Sequence, residues 1–202
     1  MRDHPIDAVV FDLGGVLADF GGVGPMRDLA GIDSDEEVWG RWLTCQWVRR
    51  FERGDCSAED FAAGVVSDWD LPVTPEAFLE GFRTWLAAPF PGAEDLVRAV
   101  RRAVPVACLS NTNTVHWEGC ASRWTIMELF DARFLSFQLG LVKPDREMFE
   151  YAAKTLGSEP ARLLFLDDNP LNVEAAISVG FVAAHVRGVE EARRALVGAG
   201  VL

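Results

Sequence analysis

No basic tract runs along this 202-residue chain: 19 Lys and Arg stand against 31 Asp and Glu, a formal net charge of -12. A nucleic-acid partner is therefore not expected, because binding a phosphate backbone needs a basic face that displaces counterions. The pairs Arg49-Arg50, Arg101-Arg102 and Arg193-Arg194 are spaced along presumed helices and read as solvated faces. No apolar run is long enough to span a bilayer, and Met1-Arg2-Asp3-His4-Pro5 carries no apolar signal region. A cytoplasmic protein with no membrane partner is expected. Cys45, Cys56, Cys108 and Cys120 show no Cys-x-x-Cys spacing, which points to reduced thiols rather than a disulfide or zinc framework. Internal repeats and low-complexity tracts are lacking as well.

What is present is an ordinary globular composition, 50% apolar and 25% charged, in a chain long enough for one core of about 100 to 150 residues plus an insertion. Short apolar runs alternate with helical patterns, which predicts an α/β fold with a Rossmann-like parallel sheet covered by helices on both faces. Strands are expected near Ala8 to Phe11, Val104 to Leu109, Ala132 to Leu135, Leu163 to Leu166 and Val182 to His185. Helices are expected near Ala93 to Ala103, Val115 to Leu129, Arg146 to Leu156, Leu171 to Val179 and Val189 to Val197.

One segment departs from that alternation. Residues 20–89 read as helices without a convincing strand, a helical insertion after the first strand, leaving 1–19 and 90–202 as the core. Ser34-Asp35-Glu36-Glu37 is a capping box, and it opens a stripe of Val38, Trp39, Trp42, Leu43, Val48 and Phe51 that Gly54 closes. Ser57 can cap a second helix, and Thr74-Pro75 a third. Gly21-Gly22-Val23-Gly24-Pro25 and Pro89-Phe90-Pro91-Gly92 read as the entry and exit hinges. The insertion holds Trp39, Trp42, Trp47, Trp69 and Trp85, five of the seven tryptophans, and these read as filling a thin helical core while one or two could line a cavity.

Chemistry gathers at the presumed strand ends. Asp12 follows the apolar Ala8-Val9-Val10-Phe11 and precedes Leu13-Gly14-Gly15-Val16. A carboxylate there has open space ahead of it, which suits a nucleophile or a metal ligand. Ser110 follows Val106-Ala107-Cys108-Leu109 and opens the polar string Asn111-Thr112-Asn113, whose hydroxyl and amides can cradle a phosphate. The plain alternative is a helix N-cap, a need that Asn113 or Thr114 can also meet. Lys143 is flanked by an apolar stretch and Pro144, so its ammonium is expected to point inward at negative charge. Asp167-Asp168 closes Leu163-Leu164-Phe165-Leu166, and two adjacent carboxylates make most sense with a cation between them and Asp12. Hard oxygen ligands describe Mg2+ better than zinc. Nucleophile, phosphate cradle, lysine and metal site together are the parts of a phosphoryl-transfer centre.

With these four stretches in order, nearly the whole chain resembles the haloacid dehalogenase-like superfamily. The resemblance rests on Phe11-Asp12-Leu13-Gly14-Gly15-Val16, Leu109-Ser110-Asn111, Lys143-Pro144 and Asp167-Asp168-Asn169, and the insertion corresponds to the small helical cap of that family. Phe51-Glu52-Arg53-Gly54, Ser110-Asn111-Thr112-Asn113 and Phe165-Leu166-Asp167-Asp168-Asn169 are similar to bacterial phosphatases of alpha-glucose-1-phosphate. The resemblance implies a Mg2+-dependent phosphatase of a small phosphorylated metabolite, a sugar phosphate among them, acting through an aspartyl-phosphate, as a monomer or homodimer. It implies Asp12 and Lys143 as catalytic, Ser110, Asn111 and Lys143 as substrate-binding, and Asp12, the Gly14 carbonyl, Asp168 and Asp167 at the metal, with Asn172 orienting ligands or waters.

Gly14 departs from the family pattern, in which most phosphatases carry a second Asp there as general acid and base. Losing such a group costs a factor of roughly 100 to 10,000, and most for poor leaving groups. Anomeric or acyl phosphates should then be favoured, with water, substrate groups or His116 assisting; His116 also reads as a plain helix residue. Two other classes stay open. A 2-haloacid dehalogenase also attacks with an Asp and lacks the second one, but needs no metal, so the Asp167-Asp168 pair speaks against it. A catalytically weak binding module would be consistent with Gly14.

Overall fold

Every apolar run that reads as a core strand is a strand in the computed structural model, which describes residues 6–119 and 121–202. In chain order the elements are β1 (Ala8–Phe11), β2 (Ala18–Phe20), α1 (Val23–Ala30), α2 (Asp35–Thr44), α3 (Gln46–Glu52), α4 (Ala58–Asp68), α5 (Pro75–Phe82) and β3 (Leu86–Pro89). There follow α6 (Ala93–Arg101), β4 (Val106–Ser110), α7 (Thr114–Gly119), β5 (Ala132–Leu135), α8 (Ser136–Leu139), α9 (Arg146–Leu156), β6 (Leu163–Asp167), α10 (Pro170–Val179), β7 (Val182–His185) and α11 (Gly188–Gly198).

Five strands form one parallel sheet in the order β5-β4-β1-β6-β7. All four residues of β1 are buried, as a strand covered on both faces requires. Val9 and Phe11 face a cluster with Leu96, Val97 and Val100 of α6 and Ala192 and Leu196 of α11. Ala8 and Val10 face the opposite cluster, with Phe149 and Ala152 of α9 and Ala176 of α10. Period-2 alternation along β1 thus divides one strand between two cores. Leu96, wholly buried, contributes about 1.5–3 kcal/mol through that burial. From β1 the chain proceeds to β4 and β5 on one side, and from β6 to β7 on the other. The carboxyl ends of β1 and β6 therefore flank the point where the order reverses, where open α/β sheets leave a crevice.

Helices α1 to α5 enclose a separate cluster that includes Met26, Trp42, Phe61, Trp69, Phe78 and Trp85. Ser34, Ser57 and Thr74 cap α2, α4 and α5, their oxygens accepting from the amides of Glu37, Asp60 and Ala77. Four expectations need correction. The insertion does meet short strands at its two ends: β2 and β3 pair antiparallel, with Phe20 opposite Leu86. The expected helix from Ser34 to Gly54 breaks at Cys45, extended at ψ 121°, although Trp42 and Val48 continue one buried stripe across the break. The expected entry hinge is the start of α1, with Pro25 in the first turn where a missing N–H costs nothing. The expected helix over 115–129 stops at Gly119 and is followed by 3-10 turns at Ala121–Arg123 and Thr125–Leu129. A boundary also shifts: Pro105 has no N–H for a ladder, and β4 begins after it.

Among the described residues no helix is long and apolar enough to cross a membrane. Cys45, Cys56 and Cys108 are free thiols. Cys120 and the stretch Met1 to Pro5 lie outside the described residues.

Candidate active site

The backbone amide of Asp12 donates to the Leu166 carbonyl at 2.8 Å, one rung beyond the end of β1, so the residue is fixed between β1 and β6. Its Oδ1 accepts from the Leu13 amide at 2.7 Å and lies 3.0 Å from Lys143 Nζ. Lys143 Nζ also donates to Asp167 Oδ2 at 2.7 Å, with its side chain 1% exposed. Burial works against that ammonium, but the carboxylates of Asp12 and Asp167 outweigh it and hold Lys143 protonated, well above the usual lysine range.

Three carboxylates, those of Asp12, Asp167 and Asp168, bring one oxygen each to within 4.8 Å of one another. Among the described residues the Lys143 ammonium contacts Asp12 and Asp167, and Arg187 acts on Asp168 from farther off, which leaves negative charge in excess. Burial, aided by Asp167 and Asp168, pushes the Asp12 carboxyl up to about 8 in spite of Lys143. Burial and Asp167 likewise push Asp168 up to about 6. A divalent cation fits this deficit and this all-oxygen donor set. A second observation fits it too: Asn172 Oδ1 is buried without a hydrogen-bond partner and the residue lines the same cavity, leaving an acceptor for an ion-bound water.

The two adjacent aspartates differ. Asp167 is wholly buried, and its oxygens accept from Lys143 Nζ, the Asn169 amide and Asn172 Nδ2. Asp168 instead lines the cavity. Room for it comes from Gly15, at φ +71°, where a Cβ would meet Asp168 Oδ2 at 2.1 Å. No other residue type fits there without moving Asp168. Gly14 is different: a Cβ would find only ordinary contact with Phe20 at 3.6 Å. Glycine at that position leaves an unfilled space beside Asp12.

Ser110 ends β4 and lines the cavity, its hydroxyl making only a long 3.4 Å contact with the Asn111 carbonyl. Asn113, not Ser110, caps α7, its Oδ1 accepting from the His116 amide at 3.0 Å. The Asn111 side chain is committed within the protein: it accepts from the Lys143 amide at 2.8 Å and donates to the Lys143 carbonyl at 3.0 Å and to Glu52 Oε2 at 3.1 Å. His116 is committed as well. Nε2 lies 2.7 Å from the Phe82 carbonyl, which can only accept, so Nε2 carries the proton and Nδ1 accepts from Asn113 Nδ2. Burial lowers its pKa to about 4, and with both nitrogens engaged the ring is not a proton donor to a ligand.

Asp12, Gly14, Ser110, Asn111, Lys143, Asp168 and Asn172 thus meet in one cavity, open to solvent. Residues of β2 and the inserted helices line it as well: Phe20, Trp39, Trp42, Leu43, Glu52 and Phe82. Of these, the family resemblance quoted Glu52, and the tryptophans were expected mainly as core. Burial pushes Glu52 up to about 7. Arg49 and Arg53 hold α3 to Asp145, at 2.7 and 2.6 Å, so the Arg49-Arg50 pair is not simply a solvated face.

The family model for haloacid dehalogenase-like hydrolases matches residues 6–180. A sesquiterpene phosphatase of Aspergillus oryzae is 28% identical, with 89% of each chain covered. A D-ribitol-5-phosphate phosphatase of Bacteroides thetaiotaomicron is 26% identical over 87% of this chain and 89% of its own. A solved structure described as a predicted HAD-like family hydrolase, from Porphyromonas gingivalis, superposes with a TM-score of 0.73 at 24% identity, covering 96% of this chain and 97% of that one; this likeness concerns the fold.

Proposed function

The chain belongs to the haloacid dehalogenase-like hydrolases, and on that premise we propose that it is a magnesium-dependent phosphatase of a small phosphate monoester. The observation that carries this is the buried Asp12–Lys143–Asp167 chain of contacts, with Asp168 beside it facing a cavity. Asp12 acts as nucleophile: its free carboxylate oxygen forms a bond to phosphorus as the ester P–O bond breaks, giving an aspartyl-phosphate and an alkoxide that takes a proton. Water then cleaves the acyl phosphate, returning Asp12 and releasing inorganic phosphate. Lys143 neutralises charge on the phosphoryl oxygens, and Ser110 donates to one of them through its hydroxyl.

Magnesium would be held by Asp12, the Gly14 carbonyl and Asp168, and when bound it would screen the carboxylate from the anionic phosphoryl group. Asp167 stands behind, orienting Lys143 and Asn172, and Asn111 fixes the Lys143 backbone. The helices over residues 20–89 serve as a cap domain on a core of residues 1–19 and 90–202. Neither Gly14 nor the engaged His116 supports a general acid like that of most relatives, so water or the ester itself protonates the leaving oxygen.

The curated relatives named above include phosphatases of a sesquiterpene and of ribitol-5-phosphate, so family membership leaves the leaving group open, sugar or otherwise. The test is phosphate release from acetyl phosphate and an aryl phosphate, with magnesium and with chelator, in wild type and Asp12→Asn. Release that needs both the metal and Asp12 is expected. Chloride release from 2-haloacids in chelator, without phosphate release, would replace this reading with that of a dehalogenase; neither product would favour a binding module.

A further inference from the structure

Granting the phosphatase reading, we infer that the ester hydrolysed at this site carries a hydrophobic leaving group, packed against Phe20, Trp39, Trp42, Leu43 and Phe82. These side chains line the same cavity as Asp12. Phe20 lies 6.1 Å from Trp39 between ring centroids, and Trp42 lies 6.2 Å from Phe82. Phe20, Trp39 and Leu43 are only half-buried, although Phe20 and Trp39 pack against the apolar cluster of the inserted helices. Large apolar side chains left open to a cavity gain by being covered, at about 25 cal/mol per Å². Phe20, Trp39 and Trp42 also border a small, partly open apolar recess lined by Val23, Met26, Val38 and Trp85 with Gly22.

The polar groups on the same side decide the matter against a polyol. A sugar's hydroxyls need donors and acceptors that are free when the ligand arrives. Glu52 receives hydrogen bonds from Asn111 and from the Trp42 side chain. Asn113 and His116 bond to each other, and His116 to the Phe82 carbonyl. Each of these side chains already has a partner inside the protein, so a polyol buried there would find few free groups to replace its water. The sugar phosphate implied by the sequence resemblance is the poorer fit to this wall.

The test uses n-alkyl phosphates from butyl to octyl, whose leaving groups differ little in basicity, beside alpha-glucose-1-phosphate and ribitol-5-phosphate. The ratio kcat/KM should rise with each methylene, by up to about fourfold, until the wall is covered. In Asp12→Asn with magnesium, affinity for non-hydrolysable alkyl phosphonates should climb in the same way and quench tryptophan fluorescence. Trp39→Ser should flatten the climb, lowering octyl phosphonate affinity at least tenfold more than that of inorganic phosphate. If that variant does not fold, Leu43→Ser on the same wall serves. Ribitol-5-phosphate, an ordinary alcohol ester like the alkyl phosphates, turned over faster than octyl phosphate, or affinity that ignores chain length, would overturn the inference while leaving the phosphatase reading intact. Absence of phosphate release from every ester would instead remove the reading beneath it.

Discussion

The two sides of the cavity treat buried polarity in opposite ways. On the strand-end side, carboxylates outnumber the single ammonium, Asn172 Oδ1 has no partner and the Ser110 hydroxyl is nearly free. On the helical side, Glu52, Asn113 and His116 are bonded within the protein, and what faces inward is aromatic and aliphatic. Unmet polarity costs folding free energy and is kept where a ligand meets it; satisfied polarity and open apolar surface select by shape and hydrophobicity. On the proposed reading, chemistry rests on the strand ends and recognition largely on the inserted helices. Changes on the first side should alter whether any ester reacts, and changes on the second should alter which.

The largest effect is expected at Asp12. Asp12→Asn should lower turnover at least about a thousandfold for every ester, with circular dichroism unchanged. Lys143→Met should come next in severity and act on stability as well, since Asp12 and Asp167 would lose the ammonium between them; denaturant melts should report a loss of about 3–5 kcal/mol. Gly15→Ala leaves both chemistry-bearing aspartates in place but puts a methyl group where Asp168 Oδ2 now lies. Calorimetry should show magnesium affinity reduced tenfold or more.

On the helical side the expected effects are smaller and of another kind. His116 is held neutral with a pKa of about 4, while in the unfolded chain it titrates near 6.5. Below about pH 6.5 the unfolded state takes up a proton that the folded state refuses, so stability falls as pH drops from there to about 4, then levels off. The drop is about 3 kcal/mol by linkage, and His116→Gln should remove it from urea melts across that range. Gly14→Asp sharpens the contrast between the two sides. A Cβ at that position meets only ordinary contact, and supplying an acid should raise turnover of alkyl phosphates about ten- to a hundredfold while scarcely changing that of aryl phosphates.

The strand ends that carry the candidate residues were legible. Asp12, Ser110 and Asp167-Asp168 each follow an unbroken apolar run, and each run is a buried parallel strand in the structure. The helical side was less legible, because Trp39 and Trp42 occupy the same amphipathic stripe and nothing in their spacing says that Trp42 is buried and Trp39 half-buried, or that both line the cavity. Local signals misled elsewhere. Strands β2 and β3 are too short for a period to emerge. The break at Cys45 has neither glycine nor proline to mark it, and Gly21-Gly22-Val23-Gly24-Pro25 looks like a hinge although its last three residues open α1. Gly15 was read only as part of a permissive turn; its need for glycine arises from Asp168, more than 150 positions later.

The account turns on Asp12 accepting a phosphoryl group beside a bound cation. Acid-quenched turnover of acetyl phosphate with magnesium, followed by peptide mass spectrometry, tests this most directly. The peptide containing Asp12 should gain the mass of one phosphoryl group on that residue, and lose the label when magnesium is chelated. Phosphate release with no label on Asp12 at any quench time, or a label that forms equally well in chelator, would contradict it.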